Sequence, residues 1–174
     1  MKISKFIPII LISVILILPS CFGDSDVFDY TAWLNRNLEY INNLEKETEG
    51  GIPVYDKITP DWDSSIYVLV KWHNDRAETT NLVTPLSTST ILVKYTLTNV
   101  DGDTLDSSDS FQCVPNQLVT GFWAAVTNMH VNDTVTAVMP YYAGYGVSGS
   151  TAIPPYSTLI FGIRLDSIVK LVAK

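Results

Sequence analysis

In "YTAWLNRNLEYINNLEKE" (30–47) the apolar residues Trp33, Leu34, Leu38, Ile41 and Leu44 recur at steps near three and four, which marks one face of a helix. Asp29 or Thr31 is placed to cap its start, and Gly50-Gly51 is expected to end it. One amphipathic helix cannot bury its own stripe. It is expected to dock on the chain's own sheet through Trp33, Leu34, Leu38 and Ile41, with pairing of two chains as the alternative. From Ile52 onward the rhythm changes to that of strands. "SIYVLVKW" (65–72), "TILVKYTLTN" (90–99), "DTVTAVMP" (133–140) and the closing "TLIFGIRLDSIVKL" (158–171) read as strands, and "FQCV" (111–114) as a short one. "HNDRAETTNLVTPLSTS" (73–89) is polar, contains Pro85 and reads as a long loop, and "DGD" (101–103) is a turn signal. Phe122, Val126 and Met129 fall at i, i+4 and i+7, which places a short helix within this β region. The pattern predicts an α+β fold: an antiparallel sheet with one short helix on a face, preceded by an N-terminal helix.

The first residues follow a different logic. "MKISK" is a basic start, "FIPIILISVILIL" is an apolar run of 13 residues, and "LPSC" closes it at 18–21. The run is too short for an ordinary membrane span and has the layout of a secretory signal. It resembles a bacterial lipoprotein signal, in which a leucine three residues before a cysteine marks cleavage. That resemblance implies removal of residues 1–20, a lipid on Cys21, and a place in the cell envelope, at the periplasmic or surface face of the outer membrane. Residues 21–51 then form a tether and helix, and residues 52–174 the main domain.

Composition narrows the function. The chain has 174 residues, 47% of them apolar, which is one domain with extensions. Its formal charge is −7, and loss of Lys2 and Lys5 with the signal leaves 9 basic residues against 18 acidic ones. An acidic body without a basic patch is not a nucleic-acid binder. Nor does it seek anionic lipid by charge, so membrane attachment rests on Cys21. Cys113 is the only other cysteine, which argues against an intrachain disulfide and for a small buried hydrophobe. His73 and His130 lack the neighbours of a metal site, and no cofactor is expected.

Gly144-x-Gly146-x-x-Gly149 has the spacing of a dinucleotide-binding loop, but that loop needs a helix after it to hold the pyrophosphate. Pro154-Pro155 follow within six residues and stop any helix there, so the loop joins two strands. "GVSGS" is not a Gly-x-Ser-x-Gly nucleophile turn, because Ser150 stands at the second glycine.

Four ordered blocks carry a more specific signal: "VKYTLTNVDGDTLDSS", "LVTGFWAAVTNMHVNDTVTAVMP", "YAGYGVSG" and "AIPPYSTLIFGIRLDSI". Together, from about residue 90 to 170, they resemble the FKBP-type peptidyl-prolyl cis-trans isomerases. The resemblance implies a twisted antiparallel sheet curled around a short helix, with a pocket between them that takes proline-containing segments of folding proteins. It places Tyr95 and Asp106 in the pocket, Phe111 with Leu118 at its rim, and Val119 beside Leu118 before the helix. Phe122 stands where many members have a tryptophan floor, with Trp123 one place further on. Tyr145 matches the tyrosine that donates to a bound carbonyl, and Ile153 and Phe161 match the far wall. Leu105 stands where phenylalanine is usual, and Gly144 is an extra residue beside Tyr145. These departures leave a binding module without useful catalysis as the alternative to an active isomerase. A third reading is a surface β-domain that binds sugar or peptide through its aromatics. Residue by residue the plain readings are packing for Tyr95 and core for Phe122 and Phe161, with Asp106 capping a turn.

Overall fold

The computed structural model describes residues 28–171. The expected signal segment (1–20) and Cys21 lie outside them. Helix α1 runs Tyr30–Leu44, and the Asp29 carboxylate accepts the Thr31 and Ala32 N–H groups at 3.0 Å, satisfying two donors of the open first turn. The helix ends at Glu45, before the glycine pair. Gly50 and Gly51, at φ +60° and +82°, instead form the two-residue turn between β1 (Thr48–Glu49) and β2 (Ile52–Pro53). Two successive positive φ values suit the tight hairpin turn that matches strand twist.

The main sheet has six antiparallel strands. They are β3 (Asp56–Ile58), β4 (Val68–Trp72), β5 (Thr90–Thr98), β6 (Thr104–Cys113), β7 (Thr134–Met139) and β8 (Leu159–Lys170), in the order β3-β4-β7-β8-β5-β6. Helix α2 (Thr120–Val126) lies against the inner face. Strand alternation explains the layering. Val68 and Val70 of β4, Val135, Ala137 and Met139 of β7, and Phe161, Ile163 and Leu165 of β8 point inward and pack with Phe122, Val126 and Met129. Gly121 brings α2 close to β7: a Cβ there would stand 2.7 Å from Met139 Cγ.

The outward residues of the same strands, Leu69, Val138 and Ile160, receive α1 through Ile41, with Tyr40 and Leu44 alongside. The helix therefore docks on the chain's own sheet, as its stripe requires. Its docked face differs from the expected one: Leu38 stays 40% exposed, whereas Asn37 is 1% exposed. The face is offset because Asn37 makes buried hydrogen bonds that no apolar pattern announces.

Strand β6 is longer than the expected "FQCV". Val93 pairs with Phe111 and Tyr95 with Ser108, so β6 carries one residue more than β5 over this step. A second irregularity falls between Leu97–Asp106 and Thr98–Thr104. These bulges break the two-residue alternation that would have revealed the strand. The 73–89 segment is an ordered loop. Buried Asp133 accepts from Thr79 Oγ1 at 2.6 Å, Asn74 Nδ2 at 2.9 Å and the His130 N–H at 2.8 Å, and the Arg76 guanidinium lies 3.8 Å over the Trp72 ring. Burial pushes the Asp133 carboxyl up, but these donors and Arg76 together hold it below the usual carboxylate range.

Candidate functional site

Between α2, β5, β6 and the loop after β7 lies a cavity of about 170 Å³, lined by Tyr95, Leu97, Asp106, Phe111, Leu118, Val119, Phe122, Tyr145 and Phe161. Strands β5, β6 and β8, helix α2, the turn before it and the loop after β7 supply these side chains. β5 alternation brings Tyr95 and Leu97 to the inner face. β6 brings Asp106 opposite Leu97, and its bulge keeps Phe111 on the same face as Ser108 despite the three-residue step. A 3-10 turn at Pro115–Gln117 leads into Leu118 and Val119, and α2 then buries Phe122 at 2% exposure as the floor.

The aromatic walls meet edge to face. Phe122 and Phe161 have centroids 5.2 Å apart at 74°, and Tyr95 and Phe111 are 5.4 Å apart at 70°. This arrangement suits the quadrupoles of the rings. Tyr95 donates its hydroxyl to Asp106 Oδ2 at 2.5 Å. Burial, reinforced by that hydrogen bond and the neighbouring carboxylate charge, pushes the Tyr95 phenol up to about 12. The hydrogen bond fixes the Tyr95 ring and gives the apolar cavity one polar edge.

Tyr145 stands at the mouth, 42% exposed, on the loop between β7 and β8. That loop begins with a 3-10 turn at Tyr141–Ala143 and turns back through Gly146 and Gly149. Gly149 is required there: φ is +64°, and a Cβ would stand 2.4 Å from the Ile153 carbonyl oxygen. The Gly144-x-Gly146-x-x-Gly149 motif thus serves a strand-to-strand flap, with no helix following it.

Of the residues implied by the sequence resemblance, Tyr95, Asp106, Phe111, Leu118, Val119, Phe122, Tyr145 and Phe161 come together around one cavity. Leu105 and Ile153 do not line it. Leu105 packs at the edge of the main core, and Ile153, 6% exposed, is folded down into the core by the turn in which Ser150 N–H donates to Ile153 O at 2.8 Å. Leu97 was missed, although it follows Tyr95 by two on the same strand. Trp123 is directed away and stacks on Trp62 at 4.0 Å. Cys113 is buried, and burial pushes its thiol up to about 11, which makes it a core residue and a poor nucleophile. Among the described residues no group of three or more His, Cys, Asp or Glu side chains is placed to hold a metal ion.

A half-wrapped antiparallel sheet around one short helix, with an aromatic cavity between them and a flap over its mouth, defines an α+β domain with a small aromatic-walled pocket between helix and sheet. Residues 83–166 match the family model described as FKBP-type peptidyl-prolyl cis-trans isomerase, a match that supports an FKBP-type domain over this part of the chain. The chain is 33% identical over 90 residues to the FKBP-type 22 kDa peptidyl-prolyl cis-trans isomerase of Escherichia coli (strain K12), covering 49% of this chain and 44% of that protein. It is 37% identical over 83 residues to the macrophage infectivity potentiator of Trypanosoma cruzi, covering 44% of this chain and 41% of that protein. The match thus spans less than half the length of either relative. In fold, the chain is similar to a peptidyl-prolyl cis-trans isomerase of Pseudomonas syringae pv. tomato, with a TM-score of 0.67, 19% identity, and coverage of 80% of this chain and 96% of that one. It is similar also to FkpA of Escherichia coli, with a TM-score of 0.67, 20% identity, and coverage of 82% and 62%.

Proposed function

We propose that this protein catalyses cis-trans isomerisation of X–Pro bonds in extracytoplasmic proteins. The observation that carries the reading is the cavity walled by Phe122, Phe161, Tyr95 and Phe111, with Tyr145 at its mouth. Its volume of about 170 Å³ lies below the roughly 300–1,000 Å³ of sites for drug-sized ligands and suits one small ring.

Rotation about a peptide bond meets a barrier of ~18–20 kcal/mol, because the C–N bond has partial double-bond character. At X–Pro the uncatalysed exchange takes on the order of 10–100 s. No covalent bond is made or broken, so the site need only favour the twisted amide over both planar forms. Twisting removes amide resonance. The carbonyl becomes less polar, and an apolar wall of Phe122, Val119 and Phe161 then disfavours it less than the planar amide. Tyr145 supplies a hydroxyl to a flanking carbonyl. The Val119 N–H, which has no acceptor among the described residues, is available to another. The Tyr95–Asp106 pair holds the polar edge still and moves no proton in this scheme.

The decisive experiment is exchange of a short X–Pro peptide by residues 22–174. Acceleration over the uncatalysed rate is expected. Binding of the peptide without acceleration would instead make this a silent binding module, the outcome that the aliphatic Leu105 and the phenylalanine at 122 would then explain.

The "LPSC" segment supports a second part of the proposal: residues 1–20 are removed and Cys21 carries the lipid that holds the domain at the cell envelope. Mass spectrometry of the native N-terminus is expected to show a lipid-modified Cys21 as first residue. A chain that begins at Met1, or an unmodified Cys21, would overturn it.

A further inference from the structure

The flap that brings Tyr145 to the pocket mouth has two legs, and α1 reaches both of them from the far side of the sheet. On the returning leg, Trp33 Nε1 donates to Ser157 Oγ at 3.1 Å, and Ser157 Oγ donates to the Pro154 carbonyl at 2.7 Å. One helical turn along, Asn37 Oδ1 accepts the Thr158 N–H at 2.6 Å, while Asn37 Nδ2 donates to the Trp33 carbonyl at 2.8 Å. Asn37, Ser157 and Thr158 are 1%, 4% and 1% exposed. On the outgoing leg, Tyr142 meets the Tyr67 ring edge-on at 5.9 Å, and the Tyr67 hydroxyl lies beside both Tyr142 and Glu45, the residue that caps the end of α1.

Between these grips the flap is braced on itself. Gly146 N–H donates to Tyr141 O at 2.8 Å, Tyr156 N–H to Gly146 O at 3.0 Å, and Gly149 N–H to Tyr145 O at 3.2 Å. The rings of Tyr141 and Tyr156 meet at 5.4 Å. A displacement of either leg is therefore passed to the segment that bears Tyr145. The polar character of the grip matters. Docking alone would be served by an apolar residue at position 37, and a buried amide is costly unless its hydrogen bonds are made. Apolar packing tolerates sliding, whereas hydrogen bonds with a direction fix where Pro154 and Thr158 stand.

We propose that α1 is a positioning element for the pocket. Trp33 and Asn37 hold the returning leg, Glu45 with Tyr67 holds the outgoing leg, and together they set how far Tyr145 stands from the Phe122 floor. The inference rests on the isomerase reading for its catalytic consequence, but its structural consequence is independent of that reading.

Both consequences are tested on the full chain with two conservative variants. Trp33→Phe keeps an aromatic ring and removes the donor to Ser157, and Tyr67→Phe removes the hydroxyl between Glu45 and Tyr142. Hydrogen exchange of the flap amides of Gly146, Gly149 and Ser150 is followed beside that of the β5 and β8 amides, together with X–Pro peptide kinetics. Flap amides are expected to exchange about tenfold faster with β5 and β8 unchanged, as in a local opening. KM is expected to rise about three- to tenfold, roughly the range to which one net hydrogen bond converts, with kcat changed less than about twofold. Unchanged flap exchange in both variants would overturn the proposal. So would a uniform acceleration across the sheet, or a loosened flap with unaltered KM in an active wild type. If the wild type does not isomerise the peptide, the isomerase reading falls, and selective loosening of the flap alone decides the role of α1.

Discussion

Tyr145 is 42% exposed and adds little to the core, so Tyr145→Phe is expected to change stability by less than about 0.5 kcal/mol. Loss of its hydroxyl should nonetheless weaken proline-peptide binding by about 0.5–1.5 kcal/mol, the net worth of one hydrogen bond. If the contact forms only with the twisted amide, the loss appears in kcat instead. Titration of the peptide and its exchange kinetics separate the two, and an unaltered value of both would remove Tyr145 from the site. Tyr95 makes a prediction in pH. Its phenol is raised in the fold to about 12 from an ordinary 10.0, so the folded state prefers the protonated form more than the unfolded state does. The associated stability is complete below pH 10.0 and is lost as pH rises toward 12. Cys113, raised to about 11 from 9.0, begins the same decline earlier. The denaturation midpoint should therefore fall from about pH 9 upward. Tyr95→Phe should make the fall between pH 10 and 12 shallower. An unchanged slope in that variant would mean that the Tyr95–Asp106 pair contributes nothing to stability.

At the scale of elements, the flap is the place where one atom decides a conformation. Gly149→Ala puts a Cβ against the Ile153 carbonyl at φ +64°, so the turn must rearrange. Because Gly149 lies outside the sheet, β5, β7 and β8 should keep their exchange protection while X–Pro turnover falls about tenfold or more, a change of roughly 1.4 kcal/mol in barrier. Full turnover in this variant would show that the flap is not needed for the reaction. The same elements show what the amino-acid pattern can carry. β4, β5, β7 and β8 alternate over buried ladders, and their inward residues are plain from spacing alone. The pocket residues were legible because Tyr95, Asp106, Phe122, Tyr145 and Phe161 sit in ordered blocks with a familiar arrangement. β6 was not, since its bulges turn Ser108 and Phe111 to one face at an odd spacing. The docked face of α1 was misread by one residue, toward Leu38, because hydropathy assigns nothing to an asparagine whose partner lies 121 positions away at Thr158. Gly50-Gly51, expected to end α1, instead turns a hairpin two residues across, and the helix stops earlier, at Glu45.

The whole molecule places its two faces to different uses. The inner face closes on α2 and leaves one aromatic opening, while the outer face is partly covered by α1 and so stiffens the flap from behind. What remains open is the edge. β6 ends the sheet with Asp106 and Asp109 on the strand and Asp103 just before it, carries two irregularities, and exposes Thr104, Ser107, Ser110 and Gln112 as well. The opposite edge, β3, is only three residues long. A sheet border is otherwise a template on which any extended chain can add itself as a further strand, and kinks, charge and brevity are the means that discourage this. For a protein proposed to handle unfolded segments, that border decides whether it remains a visitor to its clients or becomes trapped with them. On the proposed function a client is held through a proline ring in a pocket rather than through a ladder of backbone hydrogen bonds. Replacing Asp103 and Asp109 by valine, which leaves the pocket residue Asp106 in place, would weaken that safeguard and is expected to yield aggregates with unfolded clients at neutral pH, read by light scattering, where the parent chain stays clear.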